Sequence, residues 1–174
     1  PDGTVDSGTI ATGTIVNADI NASAAIAGTK LANTGKVLQV VQGTTSTEVI
    51  NATTTLADTG LTATITPTST TSKILVIVNH TGNRITNGDL SNSITLILVR
   101  GATSVSTFAK YAGFTATTLN LYIASLSTTY LDSPATTTAT TYKTQFANGA
   151  AASAVHVQSN SANTSTITLM EIGV

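Results

Sequence analysis

The stretch Lys73-Ile74-Leu75-Val76-Ile77-Val78 has the make-up of a β-strand. Four of its five aliphatic residues are β-branched, which costs side-chain freedom in a helix and suits a pleated sheet. The run is far shorter than the roughly 20 residues a membrane helix needs. It ends at Asn79 and the turn-forming group Thr81-Gly82-Asn83, so it reads as one strand. Ile94–Val99 is a second strand-length run, interrupted only by Thr95. Both are apolar on either side. Tyr142-Lys143-Thr144-Gln145-Phe146 differs: Tyr142 and Phe146 share one side and Lys143 and Gln145 the other, as in a strand with one wet face. A two-sheet sandwich solvates the outer face of each sheet. Strands apolar on both faces therefore predict that one outer face is covered, and a neighbouring subunit about a threefold axis would cover it.

On either side of this stretch the same signals recur at short spacing. Strands are predicted at Lys36–Gln42, Glu48–Asn51, Leu61–Thr66, Lys73–Asn79, Ser93–Arg100, Val105–Lys110, Leu119–Tyr130, Thr141–Phe146, Ala154–Gln158 and Ser165–Ile172. Between them stand breakers such as Gly43, Gly60, Pro67, Asn87-Gly88-Asp89, Gly101, Gly113 and Ser133-Pro134. Many short strands joined by such turns predict an all-β chain, with residues 36–174 forming a jelly-roll-like antiparallel β-sandwich.

Residues 1–35 follow another rule. Gly3-Thr4-Val5, Gly8-Thr9-Ile10 and Gly13-Thr14-Ile15 repeat with a period of five, and apolar residues continue at Ile20, Ile26 and Leu31. That period fits neither strand nor helix. It suits a chain that turns at each glycine and presents one apolar side chain per turn. A single-chain solenoid and an intertwined shaft of several chains both use such a pattern. The segment is too short to bury its own apolar row by stacking, which favours the shaft, with Ile10, Ile15, Ile20 and Ile26 on the common axis.

Composition narrows the chemistry. Charged residues make up 9% of the 174 and the formal net charge is -1, against about 25% charged in an ordinary soluble domain. Such a balance offers no electrostatic drive toward nucleic acid. With 41% hydrophobic residues, the chain is not of the disordered type. No run is long enough for insertion into a membrane as a helix. There are no cysteines, so neither disulfides nor thiolate chemistry is available. Threonine fills about one position in five, a β-favouring surface that is wettable without charge. Outside cells, a chain without disulfides must gain stability elsewhere, and oligomerisation is the obvious route.

Catalytic and metal signatures are weak. His80 at a strand end and His156 between Val155 and Val157 read as partly exposed polar residues. No paired histidines with metal-ligand spacing occur, although one His156 from each of three subunits could meet on an axis. Asp58, Asp89 and Asp132 each adjoin turn residues and read as caps of local backbone N–H groups. Glu171 points opposite to Met170 and is a candidate partner for a lysine. No nucleophile elbow, phosphate loop or dinucleotide fingerprint is present. The expectation is a protein that is not an enzyme and uses no cofactor. Two loops are candidate contact rims. One carries Asn83, Arg84, Asn87 and Asp89, rich in amide donors. The other carries Tyr111 and Phe114 beside Gly113, an aromatic pair able to stack on a sugar or meet a surface protein.

The segment Gly13-Thr14-Ile15-Val16-Asn17-Ala18-Asp19-Ile20, continuing to Gly28-Thr29-Lys30-Leu31, resembles the repeat before the C-terminal head of tail-fibre proteins in marine bacteriophages, cyanophages notably. Within the head, Gly35-Lys36-Val37-Leu38-Gln39-Val40-Val41-Gln42, Ser72-Lys73-Ile74-Leu75-Val76, Tyr130-Leu131-Asp132-Ser133-Pro134 with Thr141-Tyr142-Lys143, and Ser165-Thr166-Ile167-Thr168-Leu169-Met170-Glu171-Ile172 add to the likeness, in the expected order. The strand count is also similar to that of C1q and tumour-necrosis-factor-like trimers, an analogy of fold alone. The resemblance implies an extracellular virion protein that forms a homotrimer and attaches to a host-cell glycan or surface protein. A cellular adhesin or filament subunit fits the same composition. A polysaccharide depolymerase would need two carboxylates across a cleft.

Overall fold

The computed structural model describes residues 35–86, 92–115, 120–150 and 153–174. The repeat segment with Ile10, Ile15, Ile20 and Ile26, and the loop residues Asn87 and Asp89, lie outside the described residues.

Among the described residues, twelve strands follow one another: β1 (Val37–Thr45), β2 (Val49–Asn51), β3 (Ala57–Ile65), β4 (Lys73–His80), β5 (Asn83–Thr86), β6 (Asn92–Arg100), β7 (Thr103–Thr115), β8 (Leu121–Ile123), β9 (Leu126–Asp132), β10 (Thr140–Asn148), β11 (Ala154–Val157) and β12 (Ser165–Ile172). Their antiparallel pairings nest. β6 pairs with β7, β5 with β8, β4 with β9, β3 with β10, β2 with β11 and β1 with β12. The twelve described strands thus form one long hairpin whose tip is the two-residue turn Gly101-Ala102, between the paired Arg100 and Thr103. Gly101 has φ +59°, which a tight hairpin turn asks of its first central residue. The hairpin is then rolled up by β12 pairing with β4, β11 with β5 and β10 with β6. This gives sheets of order β1-β12-β4-β9, β3-β10-β6-β7 and β2-β11-β5-β8, an antiparallel jelly-roll-like sandwich.

The two long sheets enclose a core of Leu61, Ile65, Ile74, Val76, Leu98 and Leu169 among others. The short sheet closes a second core, with Ile85, Val155 and Val157 facing Ile94, Leu96 and Phe146. Between the two cores lies a buried polar layer. His80 Nε2 meets Thr144 Oγ1 at 2.8 Å, and Thr144 Oγ1 meets Thr59 Oγ1 at 2.6 Å. On the other side of the ring, Gln158 presents Oε1 to His80 Nδ1 at 3.2 Å and to Ser165 Oγ at 2.9 Å. The ring of His80 stacks on Phe108. His80 and His156 are both buried, which corrects the expectation of partly exposed histidines. Each sits on a strand whose neighbours supply polar partners, so burial leaves no unpaired ring nitrogen.

Three further expectations change. The first candidate rim, expected as a loop, contains β5, which includes its Asn83 and Arg84. The four residues of β5 are too few for a periodic signal, and turn formers crowd both ends; pairing with β11 and β8 makes the strand. Leu119–Tyr130 is divided at Ala124-Ser125, where the chain passes from the short sheet to the long one. Ile94–Val99 needs no neighbour to cover it. Its outward Ile97 and Val99 are 6% and 3% exposed within the single chain. Only β4, of the two doubly apolar strands, leaves apolar side chains partly open to solvent.

Candidate functional site

Two surfaces stand out, both on the outer side of the sandwich. The first is the outward face of the β1-β12-β4-β9 sheet. Register aligns Val40 with Met170, Met170 with Leu75, and Leu75 with Leu131. Directly opposed residues of antiparallel strands project to the same side. Four apolar side chains therefore run straight across the sheet, with Val40 55% and Leu131 53% exposed at its edges. The next row, Gln42–Thr168–Ile77–Thr129, is mixed, and the row beyond it, Thr44–Thr166–Asn79–Ser127, is wholly polar. In the other direction lie Val37, Ile172 and Lys73. The chain joins this apolar end at Gly35, whose N–H donates to Gly173 O at 2.6 Å.

The second surface is the outer face of the short sheet, at the end of the sandwich away from Gly35. Here register aligns Ile50 with His156, His156 with Arg84 and Arg84 with Tyr122. Alternation dictates this side, because Ile85, Val155 and Val157 point into the core. His156 Nδ1 lies 2.8 Å from Glu48 Oε1, to which it donates, and Nε2 lies 3.4 Å from Thr86 Oγ1. Arg84 Nη2 reaches the same Glu48 oxygen at 3.4 Å, and the guanidinium lies 6.0 Å from the Tyr122 ring centroid. Tyr122 is 70% exposed.

Tyr111 and Phe114 occupy strand β7 rather than a loop, and each is 61% exposed. Tyr111 has φ +57°, a conformation disfavoured for a bulky residue, at a segment where β7 shifts register against β6. Gly113 between them has φ +65°, and a Cβ there would collide with the Ile123 side chain of β8. Its neighbours are therefore brought up to β8, where Tyr122 precedes Ile123. The sequence singled out Tyr111 and Phe114 but not Tyr122; a tyrosine on a three-residue edge strand has no periodic signature to mark it. Asn83, by contrast, is fully buried, and its amide donates to His80 O at 3.1 Å and Ala124 O at 3.3 Å. Its donors are spent on the backbone that bends β4 into β5.

The carboxylates are structural anchors. Asp58, expected to cap a turn, lies in β3 and accepts from Lys143 at 2.9 Å and Gln145 at 2.7 Å; the lysine contact holds its carboxyl below the usual range. Asp132, also read as a turn cap, accepts from Arg100 and Tyr142. The sandwich brings distant strands over these side chains, and charged donors outcompete local N–H groups. Glu171 does point away from Met170, but it pairs with no lysine. Burial alone would raise its carboxyl, yet hydrogen bonds from Gln39 Nε2 (2.6 Å) and from the N–H and hydroxyl of Thr68 (2.7 Å each) outweigh that and bring it down to about 2. Among the described residues, no three His, Cys, Asp or Glu side chains gather as a metal site would require.

No protein-family model and no curated protein sequence matches this chain. In structure it is similar to a chain in the structure of infectious bursal disease virus, Gx strain, with 12% sequence identity and a TM-score of 0.35. The likeness covers 79% of this chain and 37% of that one, so this chain spans little more than a third of the viral chain's length.

Proposed function

We propose that this protein is a structural component of a virion: the homotrimeric, non-enzymatic tip of a tail fibre, which attaches to a host-cell glycan or surface protein. The observation that carries the reading is the Val40–Met170–Leu75–Leu131 row. A solvated sheet face would alternate polar residues along each outward position; here the outward positions at one end are aliphatic. Lys73 is the one charge among its register rows. A second and third copy placed against this face would bury the row without stranding a carboxylate.

The point of chain entry supports the same reading. Residues 1–34 join the head at Gly35, beside the apolar end of this face, so a repeat that assembles with its copies would bring three such faces together. The resemblance of the repeat and head segments to marine phage fibres supplies the virion and attachment part of the reading. Trimerisation would turn weak single-site contacts into firm adhesion.

Sedimentation equilibrium of the full chain at micromolar concentration tests the assembly, with a mass of three chains expected and a stable monomer overturning it. Binding of fluorescently labelled protein to a panel of marine bacteria, cyanobacteria included, tests attachment. Saturable binding to some strains and not others is expected; none across the panel would reject the attachment role.

A further inference from the structure

We infer that the outer face of the short sheet is a contact site for a carboxylate-bearing saccharide, with Tyr122 taking the apolar face of a sugar ring and Arg84 the carboxylate. This deepens the attachment reading above and rests on it. The case begins with an arginine that has no strong acceptor of its own. Among the described residues, the carboxylate contact of Arg84 Nη2 is the long one to Glu48 Oε1 at 3.4 Å, Nη1 has no acceptor, and Nε is buried without a hydrogen-bond partner. The Glu48 oxygen is already held by His156 Nδ1 at 2.8 Å. Arg84 Nη2 lies 3.0 Å from that same ring nitrogen, so two donors crowd one oxygen while the rest of the fork goes unused. Arg100, by contrast, has a close acceptor: its Nη1 donates to both oxygens of Asp132 at 2.7 and 2.8 Å.

A guanidinium with spare donors matches a carboxylate in geometry as well as charge. What stands beside it makes the ligand a sugar rather than a simple anion. The Tyr122 ring is adjacent to the guanidinium and open to solvent. An open aromatic face next to directed donors offers both halves of sugar recognition: stacking on the C–H face and hydrogen bonds to the polar edge. Ile50, exposed at the far end of the same row, extends the apolar contact. The Glu48 carboxylate would repel an anionic ligand, which keeps the single-site affinity modest. Three copies compensate through avidity.

The test uses the full chain and trigalacturonic acid as the probe, with its fully methyl-esterified form and sodium acetate as companions, followed by ligand-observed NMR. Binding in the millimolar range is expected for the acid. The methyl ester should bind about tenfold more weakly, and acetate should compete poorly. Arg84→Gln and Tyr122→Ala should each weaken trigalacturonate binding about tenfold and lower cell binding in step. Tyr122 is so exposed that its variant keeps the test valid if Arg84→Gln melts early. Absence of trigalacturonate binding, binding by both variants as tight as that of the unaltered protein, or full competition by acetate would each overturn the saccharide site. Loss of the trimer in Tyr122→Ala would instead assign the row to subunit contact and overturn it too. Cell binding that survives both variants would sink this site while leaving attachment intact; wild-type protein that binds no cell would sink attachment itself.

Discussion

The hydroxyl of Tyr142 donates to Asp132 Oδ2 at 2.6 Å, and this bond ties the two long sheets together. Tyr142 belongs to β10 in one sheet and Asp132 to β9 in the other. Arg100, from β6, closes on both oxygens of the same carboxylate. Burial, and then the bond to Asp132, push the Tyr142 hydroxyl far above its ordinary titration range, while the same carboxylate raises Arg100. Asp132→Asn should therefore lower unfolding stability by about 2–3 kcal/mol, since it leaves a partly buried guanidinium with a neutral partner. Tyr142→Phe should lose about 1–2 kcal/mol, the worth of one hydrogen bond to a charge. Urea unfolding of both variants checks this, and a smaller loss in Asp132→Asn than in Tyr142→Phe would contradict it.

Stability should fall with acid in two stages. Burial lowers His80 from 6.5 to about 4, so the unfolded chain takes up a proton first and stability declines from about pH 6.5 down to about pH 4. The difference corresponds to about 3 kcal/mol. Glu171 is depressed from 4.5 to about 2, so its contribution, again about 3 kcal/mol, is whole above about pH 4.5 and lost toward pH 2. Unfolding midpoints measured from pH 8 to pH 3 should be level above pH 6.5 and drop below it. His80→Gln should abolish the upper stage and leave the lower one.

Two glycines should fail for different reasons. A Cβ on Gly43 of β1 would overlap the carbonyl oxygen of Thr62 in β3, where the edges of the two sheets come together. Backbone cannot swing aside as a side chain can, so Gly43→Ala should cost several kcal/mol, on the order of 3 or more, by forcing the sheets apart. Gly101 has open space around it, and only its φ of +59° resists a side chain. Gly101→Ala should therefore cost only about 1 kcal/mol. Thermal melts of the pair separate the two mechanisms; equal losses would mean that the sheet edges tolerate separation.

Charge placed on the apolar row should disperse the assembly without unfolding the head. Val40 and Leu131 contribute little to their own chain's core, being more than half exposed. Three aspartates gathered about one axis would each need to be desolvated, at several kcal/mol apiece. Leu131→Asp should thus sediment as a monomer with an unchanged far-ultraviolet circular dichroism spectrum. A persistent trimer would place the subunit contact elsewhere.

Much of the sandwich was legible because strand character is local. Lys73–Val78, Tyr142–Phe146 and Ser165–Ile172 carry β-branched content and alternation that any packing must respect. The short sheet was harder to read. Arg84-Ile85-Thr86 is too brief to show a period, and nothing near Arg84 in the sequence announces His156 or Tyr122. The same holds for Asp132, whose Ser-Pro neighbours suggest a turn cap while its partners Arg100 and Tyr142 arrive from the opposite sheet. A side chain's partners depend on strand register, and register is set by long-range pairing rather than by neighbouring residues.

Composition and period act residue by residue, so the order of amino acids alone makes this chain β-structured, nearly uncharged and free of thiol chemistry. That Val40, Leu75, Leu131 and Met170 form one row, and Ile50, His156, Arg84 and Tyr122 another, follows from the folded pairing of distant strands. Those rows exist because a single long hairpin, rolled upon itself, sets residues up to about 130 positions apart side by side at the spacing of adjacent strands.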